Sequence, residues 1–265
     1  MNRILFEERE IAPDGTAVFE GPRAVHVVNV LHGSVGQVLK TGVVNGPIGT
    51  STVTAVEGPS DAPRVTVRVR HDRQSLAPWC DLLLAMPRPR VFKRLLPQLA
   101  AMGVGKIVLV GAEKVEKCYW SADCLADGQS RPQLIDGLMQ GGTSILPTLR
   151  VERNFVRYLR DAFESEFARQ PLRYLAHPDA SASTPRSFVA PSSRKLVAIG
   201  PEGGWTDAEL ALLEGHGFAR VSLGPRILKT ETAAVALLAV LGLVEDCCAD
   251  GNPRPTTAPE AGNAE

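Results

Sequence analysis

The stretch from 195 to 245 constrains this chain more than any other, because it reads strand, glycine loop, helix twice in succession. "KLVAI" at 195–199 is a short uninterrupted apolar run, the mark of a parallel strand covered on both faces. "GPEGG" follows at its carboxyl end. Thr206, with Glu209 three residues later, forms a Thr-x-x-Glu capping box, which predicts a helix from about Asp207 to Gly215 or Gly217. "FARVSLG" again reads as strand then glycine, and "PRILKTET" leads into the apolar helix "AAVALLAVLGLV". Ligands of open α/β sheets sit outside the carboxyl ends of strands, so the two glycine loops define a candidate pocket. Glycine lets backbone N–H and C=O groups approach a ligand with no Cβ in the way. At about 0.5–1.5 kcal/mol net per bond, two such loops can grip a flat, polar-edged ligand such as adenosine through the main chain alone.

Familiar nucleotide signatures are missing. No Gly-x-Gly-x-x-Gly follows an early strand, and "GPRILKT" has Leu228 where a phosphate-binding loop carries glycine. Lys plus Arg equals Asp plus Glu at 29 each, so a nucleic-acid partner has to be argued from local clusters. The apolar run at 233–244 is too short for a bilayer, which takes roughly 18–20 residues. "MNRILFEERE" lacks the pattern of a signal peptide, and a cytoplasmic location is expected. Five cysteines, at 80, 118, 124, 247 and 248, have no CxxC pairing and no histidines at ligand spacing; free, mostly buried thiols and no metal site are expected.

The first 75 or so residues read as short strands with glycine punctuation: "AVHVVNVL", "QVLKTGVV", "GTSTVTAVEG" and "RVTVRVRH". The last alternates Val with Arg and Thr, as a strand with one wet face does. "DRQSLAPW" at 72–79 has linker character. From 81 onward, "DLLLAM", a helix through "VFKRLLPQLAAMGV" and "KIVLVG" give strand, crossover helix and strand, hence parallel pairing. A second long segment at 130–146 and the amphipathic "FVRYLRDAFESEF" follow, then strands "LRYLAH" and "KLVAIG" around a Ser/Pro/Ala-rich loop at 178–193. The expected organisation is α/β: a β module over residues 1–74, an α/β domain over 75–248 and a disordered tail over 249–265, with no internal repeat.

"IGPEGGWTDAEL", followed by "GFARVSLGPRILKTETA", closely resembles the signature of the RsmE family of 16S ribosomal RNA uridine N3-methyltransferases, members of the SPOUT superfamily. "VNVLHGSVGQVLKTGVVNGPIG" is similar to the family's N-terminal PUA-like β-barrel, and "LLLAMPRPRVFKRLLPQLAAMGVGKIVLV" to the start of its catalytic domain. The resemblance implies a trefoil-knotted parallel-sheet domain binding S-adenosylmethionine in the knot, a homodimer through knot helices, and methylation of one uridine in the small ribosomal subunit. It also implies cofactor loops of Ile199, Gly200, Pro201, Glu202 and Gly203, then Leu223, Gly224, Arg226, Ile227 and Leu228, closing with Thr230, Glu231 and Thr232. The chain departs from the usual pattern at His32, at Ala101-Met102, at Met139 to Thr143 and at Lys229. Two rival readings are a non-catalytic RNA-binding or assembly factor of the same fold, and a methyltransferase acting on another RNA position.

N3 of uridine carries a proton at neutral pH, so methyl transfer to it needs a base or a cation that stabilises the imide anion. Arg226 is the first candidate for the cation, the alternative being that it only pins Glu202 or a neighbouring loop. Glu202 and Glu231 are candidate bases, each with an alternative role in ordering a loop, and Thr230 or Thr232 is a candidate to cap the last helix or to orient the base. "PRPRVFKR" holds Arg88, Arg90, Lys93 and Arg94 without an acid; 90, 93 and 94 share one helical face suited to phosphate contacts. Arg23, His26, His32 and Lys40 are further RNA-contact candidates in the N-terminal module.

Overall fold

Period-two alternation along residues 64–73 buries Val65 and Val67 and exposes Arg64, Arg68 and Arg70, so this strand has one face on a core and one in water. It is one of five strands in an N-terminal sheet of the protein, seen here in a computed structural model that describes residues 2–126, 128–168, 170, 172–178 and 194–249, with side chains of the last helix described to Gly242. The strands are β1 (Ile4–Phe6), β2 (Thr16–Phe19), β3 (Val38–Val43), β4 (Ile48–Glu57) and β5 (Arg64–Arg73), in the order β1-β3-β4-β5-β2. Only β1 pairs in parallel, with β3; the other pairings are antiparallel, and the curled sheet wraps Ile4, Phe6, Phe19, Val53 and Val67.

One expectation fails in this sheet. Ala24–Leu31 is not a strand: α1 spans Gly21–Asn29. Pro22 opens it, and Ala24, Val27 and Val28, at helical spacing, pack on the sheet core. That packing overrides the strand preference of the β-branched valines. Strands β1 and β2 were not expected.

The second sheet has six parallel strands: β6 (Cys80–Ala85), β7 (Val104–Val110), β8 (Thr148–Glu152), β9 (Arg173–Ala176), β10 (Lys195–Ile199) and β11 (Ala219–Val221), ordered β11-β9-β10-β6-β7-β8. Both faces are covered. Leu82 and Leu84 point toward α2 (Pro89–Ala101), α3 (Arg131–Gly141) and α7 (Thr230–Ala249). Leu83 and Ala85 point toward α6 (Asp207–Gly215) and the helical segment Phe155–Phe167, which is two short α-helical pieces, α4 (Phe155–Tyr158) and α5 (Glu164–Phe167), joined by a π-helical turn. At about 25 cal/mol per Å² of apolar area removed from water, this double layer is the main stabilising term for the sheet. Helices α2 and α3 pack closely because Gly137 has no side chain; a Cβ there would lie 2.1 Å from the Pro97 carbonyl oxygen.

The capping box forms as expected: the Glu209 backbone N–H donates to Thr206 Oγ1, and the Thr206 N–H donates to Glu209 Oε2 at 2.8 Å. Strand β8 was not expected. The loop at 179–193 and the tail from 250 lie outside the described residues. Cys118 and Cys124 carry free thiols, with Cys118 exposed rather than buried. No described helix is long and apolar enough to cross a membrane.

The two sheets are joined along α3. The N–H groups of Asn2 and Arg3 donate to the Met139 carbonyl, Arg3 Nε donates to the Gly142 carbonyl, and Arg131 pairs with Glu7 at 2.6 Å. Met139 to Thr143 therefore forms part of the junction. A cleft of about 620 Å³ lined by Glu7, Glu8, Arg9 and Arg131 opens there, and none of these residues belongs to the glycine loops.

Candidate functional site

A parallel sheet gathers all its strand-to-helix loops at one edge. β10 and β11 flank β9, so the loop at 200–206 and the loop at 222–229 stand on either side of the end of β9, where the His177 N–H donates to the Val221 carbonyl. Loops after β6 and β7 complete the edge. The two glycine loops, from residues up to 30 positions apart, are thereby brought together, and Thr230 bridges them: its Oγ1 donates to the Gly200 carbonyl at 3.4 Å.

Each candidate side chain has a definite setting. Glu202 is exposed, and its Oε1 accepts the backbone N–H of Arg88 at 2.9 Å, at the start of α2. A carboxylate there is favoured by the helix's positive end. Glu231 lies in the first turn of α7 and faces Arg94 of α2 at 3.6 Å. Both candidate bases thus reach α2, Glu202 from the loop after β10 and Glu231 from the first turn of α7. Arg226 is exposed and forms no ion pair with a described residue, so it does not pin Glu202. Thr232 is exposed.

Glycines explain the shape of the loops at three places. A Cβ on Gly200 would sit 3.0 Å from the indole Nε1 of the buried Trp205, so the loop lies directly on that ring. A Cβ on Gly203 would meet the stem of Lys114 at 3.1 Å, while Lys114 Nζ donates to the Gly203 carbonyl at 3.0 Å. Gly224 has φ +111°, a conformation that strains any residue with a side chain. Beyond it, Ile227 is 86% exposed and Leu228 is partly so, and their amides donate to no described residue. Unpaired main-chain donors beside exposed apolar side chains suit a ligand with a flat ring and polar edges.

Three contributors were missed in the sequence. Glu209, read only as half of a capping box, also accepts the Glu113 N–H at 2.8 Å and so braces the β7 loop. Lys114 braces the same loop from the other side. Trp205 stacks on Phe155 at 5.2 Å, forming the floor under Gly200. Only the Glu209 spacing carried a local signal.

The basic residues separate into two groups. Arg88, Arg90 and Lys93 are exposed at the start of α2, beside the loop held by Glu202. Arg23 is engaged internally: it pairs with Glu10 at 2.5 Å, donates to the Leu5 carbonyl and lies over Phe6 and Phe19. His26 is half-buried, with Nε2 enclosed and unpartnered among the described residues. His32 is exposed at φ +51°, and Lys40 is exposed on β3.

Comparison with known proteins matches residues 75–242 to the model of an RNA methyltransferase domain. A curated relative, ribosomal RNA small subunit methyltransferase E of Treponema pallidum, is 32% identical over 91% of this chain and 90% of its own length. A protein of Legionella pneumophila described as a methyltransferase, solved with the cofactor SAM bound, is 26% identical, with a TM-score of 0.68 over 92% of this chain and 98% of that one. Ribosomal RNA small subunit methyltransferase E of Neisseria gonorrhoeae, at 20% identity and a TM-score of 0.68 over 92% of this chain and 98% of its own, shares the fold.

Proposed function

This chain belongs to the RNA methyltransferase family, with the small-subunit methyltransferases E among its relatives, and we propose that it transfers a methyl group from S-adenosylmethionine to ribosomal RNA of the small subunit. The observation that carries this reading is the pairing of two glycine loops around the end of β9, fixed by Glu202 on Arg88 and by Thr230 on Gly200. Main-chain donors near Ile227 and Leu228 and the carbonyls of the 200–204 loop would hold the adenosine. The cofactor, when bound, supplies an electrophilic methyl on a sulfonium.

On the finer reading, the acceptor is N3 of one uridine in 16S rRNA. In that transfer an N3–CH3 bond would form as the cofactor's S–CH3 bond breaks, leaving a neutral thioether, and the N3 proton would pass to solvent or to a nearby carboxylate. Arg226, a permanent cation with no described ionic partner, stabilises the negative charge that spreads onto the uracil carbonyl oxygens. Glu202 and Glu231 act chiefly through position, since each carboxylate already engages α2. Residues 1–74 form a PUA-like RNA-binding unit and 75–248 a trefoil-knotted catalytic unit. Two copies pair through the knotted domain in the cytoplasm. Arg88, Arg90 and Lys93 take phosphates next to the reacting base.

Calorimetry with S-adenosylmethionine, paired with transfer of labelled methyl to small ribosomal subunits, tests the reading. Binding and transfer are expected together. Binding without transfer would favour a non-catalytic RNA-binding factor.

A further inference from the structure

Two residues far apart in the sequence meet at the carboxyl edge of the second sheet, the edge that also carries the glycine loops. Trp120 belongs to the loop after β7, in the 3-10 turn Lys117–Ser121, and Arg153 directly follows β8. The Arg153 guanidinium stands 5.8 Å from the centre of the Trp120 ring, and its Nη2 donates to the Trp120 carbonyl at 3.3 Å. Gly111 lets the two strand ends come this close, since a Cβ there would sit 2.0 Å from the Arg153 carbonyl oxygen. The same loop reaches the cofactor side, where Lys114 Nζ donates to the Gly203 carbonyl at 3.0 Å. β8 is three strands from β10, which puts the pair about 14 Å across the sheet from the 200–206 loop.

Neither partner is used up by its own contacts. The other arginine–ring contacts among the described residues are each closed by a carboxylate: Arg23 over Phe6 by Glu10, Arg150 over Tyr158 by Glu152, and Arg173 over Phe163 by Glu164. Arg153 is exposed and pairs with no carboxylate of a described residue. Trp120 is half-buried, its ring packed against the core beneath α2 and α3, and its indole N–H donates to no described residue. Trp79, by contrast, donates its N–H to the Met102 carbonyl, and Trp205 is buried against Phe155.

We propose that Trp120 and Arg153 form a stacking site for the base of a nucleotide neighbouring the methylated uridine, and so position the target strand; the proposal rests on the reading of the chain as an rRNA methyltransferase. A nucleobase has the flat face that a tryptophan ring or a guanidinium plane covers, and unpaired bases are the ones proteins stack in this way. N3 lies on the pairing edge of uracil, so the target has to leave its pair to react, and its neighbours are then open to stacking. A phosphate would need the cation alone, and a protein partner would need a wider apolar centre.

The test uses the full chain and the variants Trp120→Ala, Trp120→Phe and Arg153→Gln. KM for small ribosomal subunits, affinity for octauridylate against salt concentration, S-adenosylmethionine affinity and melting temperature are measured on each. Trp120→Ala is expected to weaken octauridylate binding and raise KM by roughly 5- to 150-fold, the span of one lost base stack, with the log–log salt slope and cofactor affinity unchanged. Trp120→Phe keeps binding within about threefold of wild type, because the smaller ring still stacks. Arg153→Gln weakens it by about two- to fivefold. Octauridylate quenches the tryptophan fluorescence of the wild type, and most of that quench is lost in Trp120→Phe. If Trp120→Ala melts early or loses cofactor affinity, Trp120→Phe and Arg153→Gln decide the matter. A wild type that methylates subunits, while Arg153→Gln leaves affinity unchanged and the quench persists in Trp120→Phe, overturns the stacking site alone. A wild type that neither binds nor methylates subunits overturns the methyltransferase reading and the stacking site with it.

Discussion

Glu202 Oε1 accepts the backbone N–H of Arg88 at 2.9 Å, which fastens the loop after β10 to the first turn of α2. If the carboxylate acts through this bond, an amide oxygen serves nearly as well. Glu202→Gln is expected to keep most activity. Glu202→Ala loses about 1 to 2 kcal/mol of loop ordering, seen as roughly five- to thirtyfold weaker cofactor binding. Calorimetry and turnover on both variants check this; a Gln variant that binds cofactor normally but transfers no methyl would make Glu202 the proton acceptor instead.

Arg226 offers the complementary case, a cation with no described ionic partner. Arg226→Ala is expected to leave S-adenosylmethionine affinity within about twofold and to lower the methyl-transfer rate by roughly 10²- to 10³-fold, the usual cost of removing one charge-stabilising donor. Turnover near the wild-type level would remove Arg226 from the chemistry.

Arg90 and Lys93 stand exposed beside the loop that Glu202 holds. Replacing both with Gln should reduce the log–log salt slope of RNA binding by about 2. The effect should appear in KM for the RNA more than in cofactor affinity, because phosphate contacts position the substrate. An unaltered slope would make them an ordinary solvated helix face.

Stability has its own pH signature on the far side of the sheet. Arg173 donates to both oxygens of Glu164, at 2.8 and 2.9 Å, and His216 Nδ1 lies 2.9 Å from Oε1. The Arg173 hydrogen bonds, helped by His216 and opposed by partial burial, hold the Glu164 carboxyl down at about 2 from its ordinary 4.5. A carboxylate depressed in the folded state gives stability that is present above about 4.5 and lost as pH falls toward 2. Glu164→Gln should therefore destabilise by about 0.2–1 kcal/mol at pH 7, as a half-exposed pair does, with the difference closing below pH 4.5. Thermal melts across that range check it; a gap independent of pH would contradict the assignment.

What the sequence disclosed was local. The apolar run 195–199 and the Thr206–Glu209 box were readable because a doubly covered strand and a capped helix carry their signals within a few residues. α1 was misread because its valines favour strands, and only a core face formed by strands elsewhere in the chain makes them helical. β1 has three residues and exists through parallel pairing with β3, far along the chain. At the site, glycine loops were visible as loops. What holds them was not, since Glu202 and Arg88 are 114 residues apart and Lys114 reaches across to Gly203. The Trp120–Arg153 contact likewise depends on β7 and β8 being neighbours, which no single strand encodes.

The most direct test is to express this protein in a bacterial strain whose own 16S rRNA uridine N3-methylation has been deleted, and to map the small-subunit rRNA by mass spectrometry. The account predicts the return of one methyl group on N3 of a single uridine, and its absence with Arg226→Ala. An rRNA that stays unmethylated, or that gains a methyl on a ribose or another base, would contradict it.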